Sequence, residues 1–132
     1  LITDLDGGGG YDIALRFNSD TASNYSRTYL AGGGSSAVSG RATSQTYMQL
    51  DWFGWPDTNQ RAITITQIMN YANSTTYKTV LSRSNRASWG VDANVGLWRS
   101  KSAKTSLTIA PQFTANNYTV GCTATLYGIT AA

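Results

Sequence analysis

The chain has 132 residues, enough for one domain with a single sizeable core. Hydrophobic residues make up 41% and charged residues only 13%, about half the usual globular share; there is no Glu and no His. Ser, Thr, Asn and Gly fill that space and are mediocre helix formers, so a helical fold is excluded and an all-β one expected. The net charge of +3 is spread singly over Arg16, Arg27, Arg41 and Arg61, with one weak cluster at Arg99–Lys104. Nucleic acid demands a stripe that neutralises adjacent phosphates, so no nucleic-acid partner is expected. No stretch is long and apolar enough to imply a membrane partner.

The chain opens at Leu1 with neither an initiator Met nor a signal peptide, as expected of a piece of a longer or trimmed polypeptide. LITDLD is followed by Gly7 to Gly10, so residues 1–10 read as an amino-terminal arm or linker. Such an arm is the tail of a preceding module or an addition to a neighbour's sheet. Asp4, Asp6 and Gly7 faintly resemble a calcium loop, but the distal ligands are missing and no metal site is expected.

Residues 11–132 form the domain. From Tyr11 to Leu30 two alternating runs flank a polar connection at Asn18–Asn24. Ile13, Leu15 and Phe17 share one face of the first run; Tyr25, Arg27 and Tyr29 share one face of the second. A period of two predicts half-buried strands, paired as a β-hairpin or successive in one sheet. Gly32-Gly33-Gly34-Ser35-Ser36 is a loop with no Lys-Ser or Lys-Thr pair, hence no phosphate cradle. Thr46, Met48, Leu50 and Trp52 then share a face, ahead of a turn that packs Trp52, Phe53 and Trp55 around Gly54 and Pro56.

Ala62–Tyr71 is the most β-branched strand candidate, and Tyr77–Arg83 follows after a turn. From Trp89 onward Val91, Ala93, Val95 and Leu97 alternate with Asp92, Asn94, Gly96 and Trp98. Ser106–Ile109 ends at Pro111, which belongs at a sheet edge. Val120, Cys122, Ala124 and Leu126 alternate with Thr119, Thr123, Thr125 and Tyr127 as a last strand. Cys122 is alone and reads as a small buried hydrophobe. About eight antiparallel strands at such spacing predict a jelly-roll-like β-sandwich.

An enzyme is not expected. Without His the commonest general base and metal ligand is gone, and Cys122 has nothing to activate it. Asp51 and Asp57 bracket the aromatic loop as a conceivable carboxylate pair, but acids beside turns usually cap backbone. No cofactor is implied. Trp52, Trp55, Trp98 and Tyr127 are the candidate interface or ligand contacts, since Trp and Tyr anchor interfaces and stack on sugars. Trp52 also continues the inward face of Met48 and Leu50. Trp89 and Trp98 fall on opposite faces of a continuous run, so the monomer core can hold only one of them. Ile63 and Ile65 against Ile68, Leu81 against Val80 and Leu97 against Trp98 give two-sided apolar strands, which implies burial against further copies.

LRFNSDTASNYS at Leu15–Ser26, with ATLYGI at Ala124–Ile129, resembles a domain recurrent in tailed-phage virion proteins, among head decoration, fibre and tail proteins. The resemblance implies a non-enzymatic β-sandwich module located in the virion, commonly a homotrimer, with capsid or fibre proteins as partners. It carries structural positions only: Phe17, Asn18, Tyr25, Leu126, Tyr127 and Gly128. The expected role is a capsid decoration or cement protein, or a fibre module. An alternative is a receptor-binding adhesin tip that holds host surface glycans through Trp52 and Trp55, and a weaker one is a carbohydrate-binding module of a secreted enzyme.

Overall fold

The computed structural model describes residues 2–3, 12–53, 60–112 and 117–129. The glycine run, the Asp4–Asp6 motif, Trp55 and Asp57 lie outside the described residues. Nine strands and no helix occur among them: β1 (Ile2–Thr3), β2 (Ile13–Phe17), β3 (Tyr25–Gly32), β4 (Ala37–Gln45), β5 (Met48–Gln49), β6 (Ala62–Met69), β7 (Lys78–Arg86), β8 (Gly90–Trp98) and β9 (Leu107–Pro111). They form a six-stranded sheet in the order β1-β6-β7-β8-β3-β4 and a three-stranded sheet, β5-β2-β9, with every pairing antiparallel. β5 lies over β3 and β8, which makes the architecture a β-sandwich. The path is roll-like: β2 pairs with β9 in one sheet and β3 with β8 in the other, winding outward from the β6–β7 hairpin.

The core between the sheets holds Ile13, Leu15 and Phe17 of β2, Tyr25 of β3, Met48 and Leu50, Val80 of β7 and Trp98 of β8. Phe17 and Trp98 meet at 5.1 Å between ring centroids, and Tyr25 stacks on Trp98 at 6.3 Å. These three are the largest fully buried side chains among the described residues and fill the space between the sheets at this end.

Two sequence expectations change here. Tyr11–Leu30 is not a hairpin, nor two strands of one sheet: β2 and β3 lie in opposite sheets, and Asn18–Asn24 is the corner between them. The cause is that Phe17 and Tyr25 both enter the core, so the chain must cross it. Asn18 and Ser19 adopt left-handed backbone (φ 52° and 55°), and the Tyr25 hydroxyl accepts the Phe17 N–H at 3.0 Å. Asp20 accepts from the Ala22 N–H, the Asn24 amide and the Trp98 indole, the last at 2.7 Å. Burial opposes the Asp20 charge, but these donors outweigh it and lower the carboxyl below its usual range. Burial pushes the Tyr25 phenol up to about 12.

The second change is at the end of the chain. Residues 119–127 form no strand; isolated bridges occur at Tyr118 and Thr123, and Cys122 is only half-buried. The alternating pattern is present in the sequence, but among the described residues no strand edge takes it up. The amino-terminal Ile2–Thr3, expected on a neighbour or a preceding module, pairs with β6 of its own sheet.

Gly96 lies under the Met48 thioether: a Cβ there would sit 1.7 Å from Sδ. Gly96→Ala forces that side chain out of the core, and urea denaturation should register a loss of about 1–3 kcal/mol. Phe17→Ala should cost about 3–5 kcal/mol by the same measurement.

Candidate functional site

β8 is folded against the simplest reading of its sequence. Its polar face (Asp92, Asn94, Gly96) and Trp98 turns inward, while Val91 and Val95 are exposed. The reason is a set of hydrogen bonds to the Leu50–Phe53 segment. Asp92 Oδ2 accepts the Trp52 and Phe53 N–H groups, both at 2.8 Å. Asp92 Oδ1 accepts from Ser84 Oγ at 2.5 Å and from the Asn94 amide at 2.8 Å, and the same amide donates to the Leu50 carbonyl. A buried carboxylate with four donors is well satisfied, and the two from the Trp52 and Phe53 backbone, which come from outside the sheet, would be lost if the strand turned over.

Beside this staple lies a charged cluster. The Asp51 carboxylate is fully buried and accepts the Ile13 N–H at 2.8 Å through Oδ1. Its Oδ2 has no hydrogen-bond partner among the described residues. Burial raises Asp51 well above the usual carboxylate range, with Asp12 adding to the shift. Asp12 is half-buried; burial pushes it to about 6 against the pull of the Arg27 guanidinium. Arg27 is lowered by its own burial and packs its guanidinium over the Tyr29 and Trp52 rings at 5.1 and 4.8 Å. Among the described residues no group of three or more Asp or Cys side chains is arranged to hold a metal ion.

The outward face of the large sheet is the counterpart of that interior. The strand register sets Ile65 beside Arg83, Ala93 and Leu30, and Leu81 beside Val95 and Thr28. Ile63, Met69, Val91 and Leu97 extend the same face. Arg41 and Arg83 are its charges, and two shallow grooves cross it along Ile63–Val91 and Thr28–Val95. Four strands of eight or nine residues span roughly 19 by 27 Å, or about 500 Å², at the usual strand spacing and rise. Thr28, Gln67, Thr79, Arg83 and Asn85 share that face, so its apolar part falls within the roughly 300–600 Å² of the largest patch on an ordinary monomer, a patch that often marks an interaction site. Every described carboxylate is buried or half-buried, whereas Arg41, Arg61, Arg83 and Lys101 are exposed, so the exposed charge of the described residues is cationic.

The sequence-chosen contacts are not brought together. Trp98 is 2% exposed and belongs to the core, because its indole N–H is drawn onto Asp20; it offers no contact surface. Trp89, 53% exposed, is the outer member of that pair and lies in the β7–β8 turn with Arg86 against its ring. Trp52 is half-buried, stacked on Tyr29 at 4.7 Å. Tyr127 is exposed, on a segment without a strand partner among the described residues. The conceivable catalytic Asp51 is closed off from solvent. Reading the sequence alone does not single out Asp12, Arg27, Asp92 or Asn94; the signal available was Asp92 and Asn94 sharing a face with Trp98.

No protein-family model, curated protein or solved structure matches this chain.

Two outcomes follow from the buried acids. Asp92→Ala orphans four donors and should lower stability by roughly 3–5 kcal/mol in urea titrations, whereas a change at exposed Thr79 should have little effect. Asp12 binds its proton more tightly folded (about 6) than unfolded (3.8). Its stabilisation is therefore complete below the unfolded value and lost as pH rises through about 6. Unfolding free energy should fall by up to about 3 kcal/mol between about pH 4 and pH 7, and Asp12→Asn should flatten that slope.

Proposed function

We propose that this chain is a non-enzymatic virion structural module of a tailed phage, a capsid decoration or cement protein or a fibre module, that works as a homotrimer buried in a larger assembly. The observation that carries this reading is the uncovered apolar outer face of the six-stranded sheet. A sheet that buries polar side chains and exposes Val91, Val95, Ile63 and Ile65 is suited to a second layer of protein. The resemblance of Leu15–Ser26 and Ala124–Ile129 to tailed-phage virion domains supplies the setting. Asn18 and Tyr25, two positions of that resemblance, organise the corner: the Asn18 carboxamide accepts the Thr105 N–H and donates to the Ala103 carbonyl.

A trimer suits the charges. Arg83 lies in the middle of the face with no carboxylate across the strands from it. A two-fold contact centred there sets Arg83 against itself, while the heterologous contacts of a cyclic trimer do not. A capsid or fibre lattice that offers carboxylates to Arg41 and Arg83 gains both register and affinity, and many modest contacts sum over an ordered surface.

The adhesin alternative has less to work with among the described residues. Trp52 already packs on Tyr29 and Arg27, which leaves Trp89 and Tyr127 as the open aromatic surfaces.

Localising the chain in electron-microscopy density of intact particles tests the role directly; absence from the particle ends the proposal. In solution the wild-type chain should sediment as an oligomer. Ile65→Asp with Val95→Asp, both at wetted positions of a single copy, should disperse it while leaving the unfolding midpoint nearly unchanged. A glycan array that lights up and goes dark on Trp89→Ala would favour the adhesin instead.

A further inference from the structure

Thr123–Ile129 (TATLYGI) belongs to no strand, yet it alternates as a strand does and leaves Leu126, Tyr127 and Ile129 exposed by 77%, 82% and 85%. Each of these side chains forgoes the hydrophobic stabilisation that burial would return. The six-stranded sheet meanwhile ends in a free edge. Among the described residues β4 has one strand partner, β3, and carries neither Lys nor Pro, the usual guards of an edge.

We infer that Thr123–Ile129 is donated as an added strand to the free edge of β4 in a second copy of this chain. Length favours β4. From Ala37 to Thr43, before Ser44 turns left-handed at φ 55°, it offers seven residues to a donor of seven. The other free edges among the described residues are shorter: β6 leaves six residues, Thr64–Met69, beyond its pairing with β1, β1 and β5 have two each, and β9 has five and finishes on Pro111. Size favours it too. Apart from Arg41, the Ala37–Thr43 side chains are short (Ala, Val, Ser, Gly, Ala, Thr), which leaves room beside them for Leu126, Tyr127 and Ile129. The backbone ladder supplies affinity and the alternate side chains supply register.

The donation is between copies because the chain cannot reach its own β4. Gly121 lies against Arg61, just before β6, close enough that a Cβ on it would be 3.5 Å from the guanidinium. β6 is four strand spacings from β4, about 19 Å. Seven residues extend to about 24 Å at most, so crossing the sheet consumes the segment that would have to lie along the edge. Each copy then gives one strand and accepts one. A two-fold exchange or a closed ring satisfies that stoichiometry, and either uses an edge distinct from the sheet face on which the proposed function rests.

The test uses the full chain and Leu126→Asp/Ile129→Asp, two changes at wetted positions. Light scattering should show the wild type as an oligomer and the variant as a single copy, with the circular dichroism of the two alike. Hydrogen exchange should find the Ala37–Thr43 amides slowed about tenfold or more in the wild type and released in the variant. A synthetic TATLYGI peptide added to the variant should restore that protection; a scrambled peptide should not. Protection at Thr64–Met69 of β6 or at β9 in place of β4, or an oligomer unmoved by the two substitutions, overturns the inference. Ile65→Asp/Val95→Asp separates it from the sheet-face reading. If that pair disperses the oligomer and the tail variant does not, strand donation falls and the face contact stands; the reverse pattern retains donation alone. A wild-type chain that is a single copy with Ala37–Thr43 exchanging freely ends both.

Discussion

The Asp92 carboxylate decides which way the large sheet faces. Four donors converge on it: the backbone N–H groups of Trp52 and Phe53, which are partly buried, and the Ser84 hydroxyl and Asn94 amide, which are fully so. Turning β8 over would bury Val91 and Val95 but take the Trp98 ring out of the core and leave the Trp52 and Phe53 N–H groups without their acceptor. The two N–H groups and the Trp98 ring together outweigh two valines at this strand. β7 and β3 follow, since cross-strand neighbours share a face: Ser82 and Ser84 go in with Asp92 and Asn94, and Leu30 goes out with Ala93.

The same choice shapes the site. Leu50, Asp51 and Trp52 are pinned between the sheets, which shuts Asp51 away from solvent and packs Trp52 onto Tyr29 and Arg27. Asp51 and Trp52, the described members of the conceivable carboxylate pair and sugar platform, are absorbed into structure. The described surface offers an apolar sheet face with arginines on it, a free sheet edge and an exposed segment at Thr123–Ile129.

Aromatic packing and corner chemistry act together at the other end of the sandwich. Phe17, Tyr25 and Trp98 hold the sheets together, while Asp20 and Asn18 tie the β2–β3 corner to Trp98 and to the β8–β9 connection. Arg99 N–H donates to the Asn24 carbonyl across the same junction. Phe17, Asn18 and Tyr25 are thus the residues that make the chain change sheets. Leu126, Tyr127 and Gly128 have no strand partner among the described residues.

The all-β class, most strand positions and the edge place of Pro111 were legible in the sequence, because period-two alternation and turn residues act locally. So was the two-sided apolarity of Ile63, Ile65 and Ile68, and the division of Trp89 from Trp98. Alternation states that a strand has two faces but is silent on which is inside. At β8 that was settled by partners 40 residues away in the chain, the Trp52 N–H among them. The corner at Asn18–Asn24 was equally hidden, since a hairpin and a crossover share the same turn chemistry until Trp98 arrives to claim Asp20. Local patterning fixes what each segment can become; long-range hydrogen bonding in a low-dielectric interior decides which side of it the core receives.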